Sequence, residues 1–300
     1  VMERRLPAGQ GQSYLSSTST VLCNVPTTDL EEDHTTRQPD CPVPVGSRRS
    51  TPSLDQRWFW WSTFGIATQV AFAATIPFLI WFMAWGASQP VASATLTDGL
   101  IDVGLILFFA VPHSIFLAPP VRRVFTRVMP SELFGCWFCL VSCVTLAALF
   151  IGWRPLSGEL WHATGATSIA VDVAAGGAWL ALVYSMWLGG LGYQTGATGL
   201  IAFLRRQPEP KRSLCRRGAY QYLRHPIYLS FLMISWITPV MTTAHLMLSI
   251  GLTIYIILGS WLKDRRLTMF IGDEYRTYMA EVPGFPLVPI GPLGRVRAFR

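Results

Sequence analysis

Charge is scarce in this sequence. Asp, Glu, Lys and Arg together supply 14% of its 300 residues, against 51% hydrophobic residues. That excludes an ordinary soluble domain, in which about a quarter of the residues are charged. Acidic residues are fewer than basic ones, 17 against 24, which leaves a formal charge of +7. The positions of the basic residues decide what that charge is for. Lys and Arg fall between long apolar runs, so membrane orientation accounts for them and a nucleic-acid partner is not expected. Cysteine is also too thin for a disulfide framework, because two of the six, Cys23 and Cys41, stand apart in a polar leading segment. Cys136, Cys139 and Cys143 recur at helical spacing in an apolar run. A zinc knuckle would use such residues, but close helix packing suits the setting better. Residues 1–56 lack the apolar core of a secretion signal, and Glu31, Glu32 and Asp33 argue against a transit peptide. Their Ser, Thr, Pro, Gln and Asp content predicts a disordered tail.

What the chain does have is apolar runs close to the roughly 20 residues that cross a bilayer. They cover about 58–85, 96–117, 133–153, 169–193, 226–239 and 245–262. The connections at 122–127 and 205–224 are rich in Arg, and Lys263, Arg265 and Arg266 follow the last run. The connections near 86–96, 154–168 and 239–244 are nearly free of Lys and Arg. Six spans with both termini in the cytoplasm satisfy every connection. The expected fold is all-α: a polytopic membrane helical bundle of about six spans over residues 57–290, the last two forming a hairpin. The fifth run is short enough to be either a span or a re-entrant piece. Beyond Asp264, Leu267, Ile271, Tyr275 and Tyr278 recur at helical spacing and predict a cytoplasmic helix ended by Pro283, Pro286 and Pro289. Residues 291–300 form a basic tail. Nothing in the sequence sets an oligomeric state.

Chemistry concentrates in residues 215–289. Pro226 suits a first helical position and pushes His225 into an extended conformation. The free N–H groups of such a helix start favour an anion, and Arg224 adds charge. The rings of Tyr220, Tyr222 and Tyr228 suit a cation such as a sulfonium, and Asp264 suits an ammonium. On residues alone a second reading stands beside this one: a snorkelling Arg224, interfacial tyrosines, and an Asp264 that only balances Arg265 and Arg266.

GAYQYLRHPIYLSFL at 218–232 resembles the G-x-Y-x-x-x-R-H-P-x-Y-x-G signature of the isoprenylcysteine carboxyl methyltransferase and phospholipid methyltransferase superfamily. The later elements of that pattern correspond to Lys263-Asp264-Arg265-Arg266-Leu267, to Phe270 through Tyr278, and to Val282-Pro283. ILFFAVPHSIFLAPPVRRVFTRVMP at 106–130, WRPL at 153–156 and WITPVMTTAHLMLSIGLTIYI at 236–256 resemble, more narrowly, the methanethiol S-methyltransferase family within the NnrU-like group. The resemblance implies a multi-pass enzyme, in a bacterial inner membrane, that carries methyl from S-adenosylmethionine to methanethiol and yields dimethyl sulfide. It implies cofactor contacts from Tyr220, Arg224, His225, Pro226, Tyr228, Leu229, Asp264, Tyr275 and Tyr278. The family's His-Ser pair falls on His113 and Ser114, and its later histidine on His245.

Three positions depart from the pattern. Lys263 stands where the first of two glutamates is expected, Asp264 is one methylene shorter than the second, and Ser230 replaces a glycine. Methyl transfer to sulfur is a direct displacement that needs orientation and no metal. A thiol mostly protonated near neutral pH gains from a base, and His113 and His245 are the candidates, with helix packing as the other reading of each. The shared superfamily leaves two further functions open: methylation of a prenylcysteine carboxyl or a phospholipid amine, and a haem-binding, carotenoid-isomerase-like protein in which His113 pairs with His225 or His245 on iron.

Overall fold

The structure is a computed structural model that describes residues 56–296 except 90, 211, 212, 289 and 290. The tail expected at 1–55 and the last four basic-tail positions lie outside the described residues.

Five helices among the described residues are long and apolar enough to cross a membrane. They are α1 (Gln56–Ala84), α2 (Leu96–Phe116), α4 (Phe134–Gly152), α5 (Gly165–Leu188) and α9 (Thr243–Ile271). Short helices α3 (Pro119–Phe125), α6 (Leu191–Thr195) and α7 (Ala197–Leu204) lie in the connections. The fold is nearly all-α, and the chain is an integral membrane protein. Large apolar side chains face outward along the spans, for example Val103, Leu107 and Val111 on α2 and Val173, Leu180 and Val183 on α5. Lipid, as apolar as they are, is their solvent.

The fifth expected span is only half of one. Helix α8 (Pro226–Trp236) has 11 residues, about 16 Å of rise against a hydrocarbon core of roughly 30 Å. Its apolar run continues to Pro239, but that proline holds Thr238 out of the helical region. The chain then forms strand β2 (Val240–Thr242), antiparallel to β1 (Glu159–His162). The last span is longer than expected. Helix α9 runs on through Lys263–Leu267 to Ile271 and stops at Gly272, whose φ of 75° few other residues adopt. The helix expected from Asp264 onward is therefore two pieces, the end of α9 and α10 (Asp273–Glu281).

The bundle's two ends sort as the Arg distribution predicts. At one end Ser88 Oγ lies 3.0 Å from Val240 O, Ala163 N donates to Pro239 O and Thr243 N to Gly158 O, so the three Arg-poor connections meet. At the other, Arg122 pairs with Glu209 at 3.9 Å and Arg266 donates to Leu117 O. Between them lies a core of Phe82, Phe109, Phe150, Trp153, Leu182, Ile234 and Leu248, with the Phe82 and Phe150 rings 4.7 Å apart. The three α4 cysteines are buried in helix contacts. Gln69 of α1 donates to the Cys136 sulfur, which also reaches Gly196 O.

One buried acid escapes a hydropathy reading. Asp102 on α2 is fully buried and accepts the backbone N–H of Arg154 at 2.8 Å, which closes the turn after α4. Its other oxygen has no partner among the described residues. Asp102→Leu strands that backbone donor and is expected to lower stability by about 1–3 kcal/mol, whereas Asp102→Asn keeps an acceptor and costs less. Thermal melts of the two variants in detergent measure the difference.

Candidate functional site

At the arginine-rich end the start of α8, the end of α9, helix α10 and the segment after it converge. His225 lies outside the helical region but short of the extended backbone expected of it (φ −123°, ψ 49°), and Pro226 opens α8. The backbone N–H groups of Arg224 and His225 donate to Pro283 O and Gly284 O, so residues 283–284 run alongside 224–225. The fit is tight: a Cβ on Gly284 would meet Leu293 O at 2.5 Å, with Arg224 and His225 close behind.

Arg224 is the centre of this packing. Only 2% exposed, it donates through Nη1 to Met279 O, Val282 O and Gly294 O, and through Nη2 to Pro292 O and Asp264 Oδ2. Asp264 also accepts the Tyr275 hydroxyl on Oδ1, and His225 Nε2 lies 3.2 Å from the same oxygen. Arg224 and Asp264 therefore hold each other, at 2.9 Å, rather than facing a ligand's carboxylate and ammonium separately. Two opposite charges buried side by side neutralise each other first. Tyr278 donates to Tyr220 O, and the Tyr220 hydroxyl reaches Ser185 O on α5. Burial pushes the Tyr275 hydroxyl well above its ordinary range, and Asp264 pushes it further. Burial does the same to Tyr278. Both stay protonated donors.

His225 is sandwiched. Its ring stacks on Tyr228 at 5.4 Å and 12° and meets Phe285 at 5.5 Å, and Lys263 Nζ sits 4.9 Å over the other ring of that stack, Tyr228. Burial, opposed by Asp264, lowers its pKa and keeps the ring neutral. Among the described residues three buried nitrogens here lack a hydrogen-bond partner: Arg224 Nε, His225 Nδ1 and His225 Nε2, the last lying 3.2 Å from Asp264 Oδ1. Buried polar atoms are nearly always satisfied, so three orphans on adjacent residues require an explanation.

Eight of the nine residues expected around a cofactor thus gather at this end: Tyr220, Arg224, His225, Pro226, Tyr228, Asp264, Tyr275 and Tyr278. Leu229 lies one residue beyond Tyr228 on α8 and only bonds back to His225 O. Tyr222, which the sequence offers as a third ring for a cation, is 72% exposed and takes no part. Sequence reasoning marks Val282-Pro283 but misses Phe285 and the carbonyls of Pro292 and Gly294.

The two other histidines separate sharply. His245 lies at the opposite end of α9, nineteen residues before Asp264, a rise of about 28 Å. Its Nε2 is 3.0 Å from Ser235 O, which can only accept, so Nε2 carries the hydrogen. Its Nδ1 is engaged by Ser88 Oγ at 2.7 Å. No lone pair remains for proton abstraction or for iron, and the geometry supports the packing reading. His113, near the arginine-rich end of α2, meets Ser142 Oγ of α4 through Nδ1 at 3.1 Å. Phe109, Phe138 and Tyr255 surround its ring at 5.2, 4.6 and 6.0 Å. Tyr255, against His113, and Tyr228, stacked on His225, pack on the same core cluster.

Residues 101–290 match the family described as NnrU protein. Among curated relatives, "Methanethiol S-methyltransferase" of Pseudomonas deceptionensis is 32% identical over 66% of this chain and 73% of its own length. "Methanethiol S-methyltransferase 1" of Bradyrhizobium diazoefficiens is 30% identical over 73% of this chain and 79% of its own. "Nurim" of Danio rerio is 27% identical over 61% and 72%. No solved structure matches. The matched region contains His113 and the whole corner from Tyr220 to Phe285.

Proposed function

The chain belongs to the NnrU family, alongside relatives named methanethiol S-methyltransferases, and from that premise we propose that it methylates methanethiol to dimethyl sulfide with S-adenosylmethionine. The observation that carries the reading is the trio of unbonded buried nitrogens on Arg224 and His225. They lie among aromatic rings beside a buried acid, which suits an amino-acid-like ligand bearing a cation. The residues present fit such a cofactor: His225, Arg224 Nε and the Tyr228 ring would hold it, and Lys263 would meet an anionic group. When bound, S-adenosylmethionine supplies an electrophilic methyl group.

The chain's own residues have three tasks. The Arg224–Asp264–Tyr275 network fixes the corner so that the cofactor residues need not reorganise, and most of the rate gain is orientation. Tyr228 and Phe285, packed on the His225 ring, exclude water. His113 takes the thiol proton at Nε2. The Lys263 substitution is compatible with this arrangement, because Asp264, the acid that remains, is the one bonded by Arg224 and Tyr275. The arginine-rich end, with the corner, faces the cytoplasm of a bacterial inner membrane, where the cofactor is made available.

Purified protein given S-adenosylmethionine and methanethiol is expected to release dimethyl sulfide into the headspace. Methylation of a prenylcysteine or a phospholipid amine, with none of methanethiol, would overturn the substrate assignment while keeping the cofactor.

A further inference from the structure

We infer that Ser142 is a positioning residue that fixes His113 as its Nδ1–H tautomer, leaving the Nε2 lone pair to receive the substrate proton. A serine hydroxyl has one hydrogen to give. Ser142 Oγ lies 2.8 Å from Phe138 O, one turn back on α4, and 3.1 Å from His113 Nδ1. The carbonyl can only accept, and it is the nearer partner, so the hydroxyl hydrogen goes there. Ser142 Oγ then meets the imidazole as an acceptor, and Nδ1 must carry the ring's hydrogen. Nε2 is left bare, and no described residue bonds to it. The contrast with His245, whose Nε2 must carry its hydrogen and whose Nδ1 is engaged, shows how the same side chain is set for opposite roles by what each nitrogen meets.

The surroundings suit one small acid. Phe109, Phe138 and Tyr255 surround the ring with apolar faces. Of titratable groups, Tyr255 and Arg266, both from α9, face His113. In the step itself the S–H bond breaks, its proton goes to Nε2 and its electron pair stays on sulfur. That sulfur bonds to the methyl carbon as the donor's carbon–sulfur bond breaks, with the pair remaining on the donor's sulfur. The imidazolium returns its proton to water at the arginine-rich end.

The tautomer does not depend on the methyltransferase reading, but its use in catalysis rests on that reading, and the test keeps the two apart. Purified full-length protein labelled with ¹⁵N-histidine is compared with its His113→Gln variant to assign the His113 resonances. The expected spectrum shows a protonated Nδ1 and an unprotonated Nε2. Ser142→Ala should mix the tautomers, and Ser142→Thr, whose hydroxyl can also bond one turn back, should restore the wild-type pattern. A protonated Nε2 in the wild type, or an unchanged pattern in Ser142→Ala, overturns the inference whether or not the protein turns over methanethiol. In turnover with methanethiol, Ser142→Ala should lose about tenfold or more in rate near pH 7, a modest share of a general-base effect. The deficit should shrink as pH rises toward the pKa of the substrate thiol, where it ionises without help. A loss equal at every pH would mark a merely structural serine and contradict the inference.

Discussion

Arg224→Ala is expected to lose the arginine-rich end of the molecule. The guanidinium makes five hydrogen bonds, four of them to backbone carbonyls of Met279, Val282, Pro292 and Gly294 and one to Asp264. Truncation leaves the Asp264 carboxylate buried without its cation and four carbonyls short of a donor. Breaking a buried pair by removing one partner costs about 3–5 kcal/mol. Lysine does not substitute, because one ammonium cannot reach acceptors spread over α9, α10 and the following segment. Arg224→Lys should therefore be nearly as damaging. The double variant Arg224→Met with Asp264→Leu removes both charges and should recover part of the loss. Thermal unfolding in detergent, together with proteolysis after residue 272, measures each. An Arg224→Ala protein that melts like the wild type would show that the ion pair does not organise this end.

The second large effect is expected at His113. His113→Gln keeps a polar side chain that Ser142 can meet but offers no lone pair basic enough to take a proton. Turnover near pH 7 should fall by about 10²–10⁴-fold, the usual share of a positioned general base. Affinity for S-adenosylmethionine should stay within about threefold, because His113 is surrounded by Phe109, Phe138, Tyr255 and Ser142 and by none of the corner residues, and residues with no shared partners act almost independently. His245→Gln provides the control. It should cost stability, since Ser88 and the Ser235 carbonyl lose their partner, but leave the rate per folded molecule unchanged. If His245→Gln stops turnover in folded protein while His113→Gln does not, the two assignments are reversed.

Much of this arrangement is legible in the sequence, and what is not has physical reasons. Hydropathy and the placement of Arg give the spans and their ends, because lipid permits few alternatives. The half-length of α8 is written in Pro226 and Pro239. The β1–β2 pair is not readable: Glu159–His162 and Val240–Thr242 are too short to show alternation and lie about 80 residues apart. The Arg224–Asp264 pair shows the limit most clearly. Charge pattern and resemblance mark both residues for a site, yet nothing local says that they hold each other across 40 positions of chain. The roles of His113 and His245 follow from which nitrogen meets which oxygen, and Ser88, Ser142 and Ser235 carry no motif that announces it. Asp102 looks like an isolated acid in an apolar run until the backbone of Arg154 is seen to use it.

The claim that most depends on the unbonded nitrogens of Arg224 and His225 is that they belong to a methyl-donor site. Calorimetric titration of S-adenosylmethionine into the purified protein tests it directly, beside His225→Ala of equal melting temperature. The expected result is saturable binding by one molecule per chain, lost or weakened at least tenfold in His225→Ala. No binding by the folded wild-type protein, or the same affinity in the variant, would contradict it.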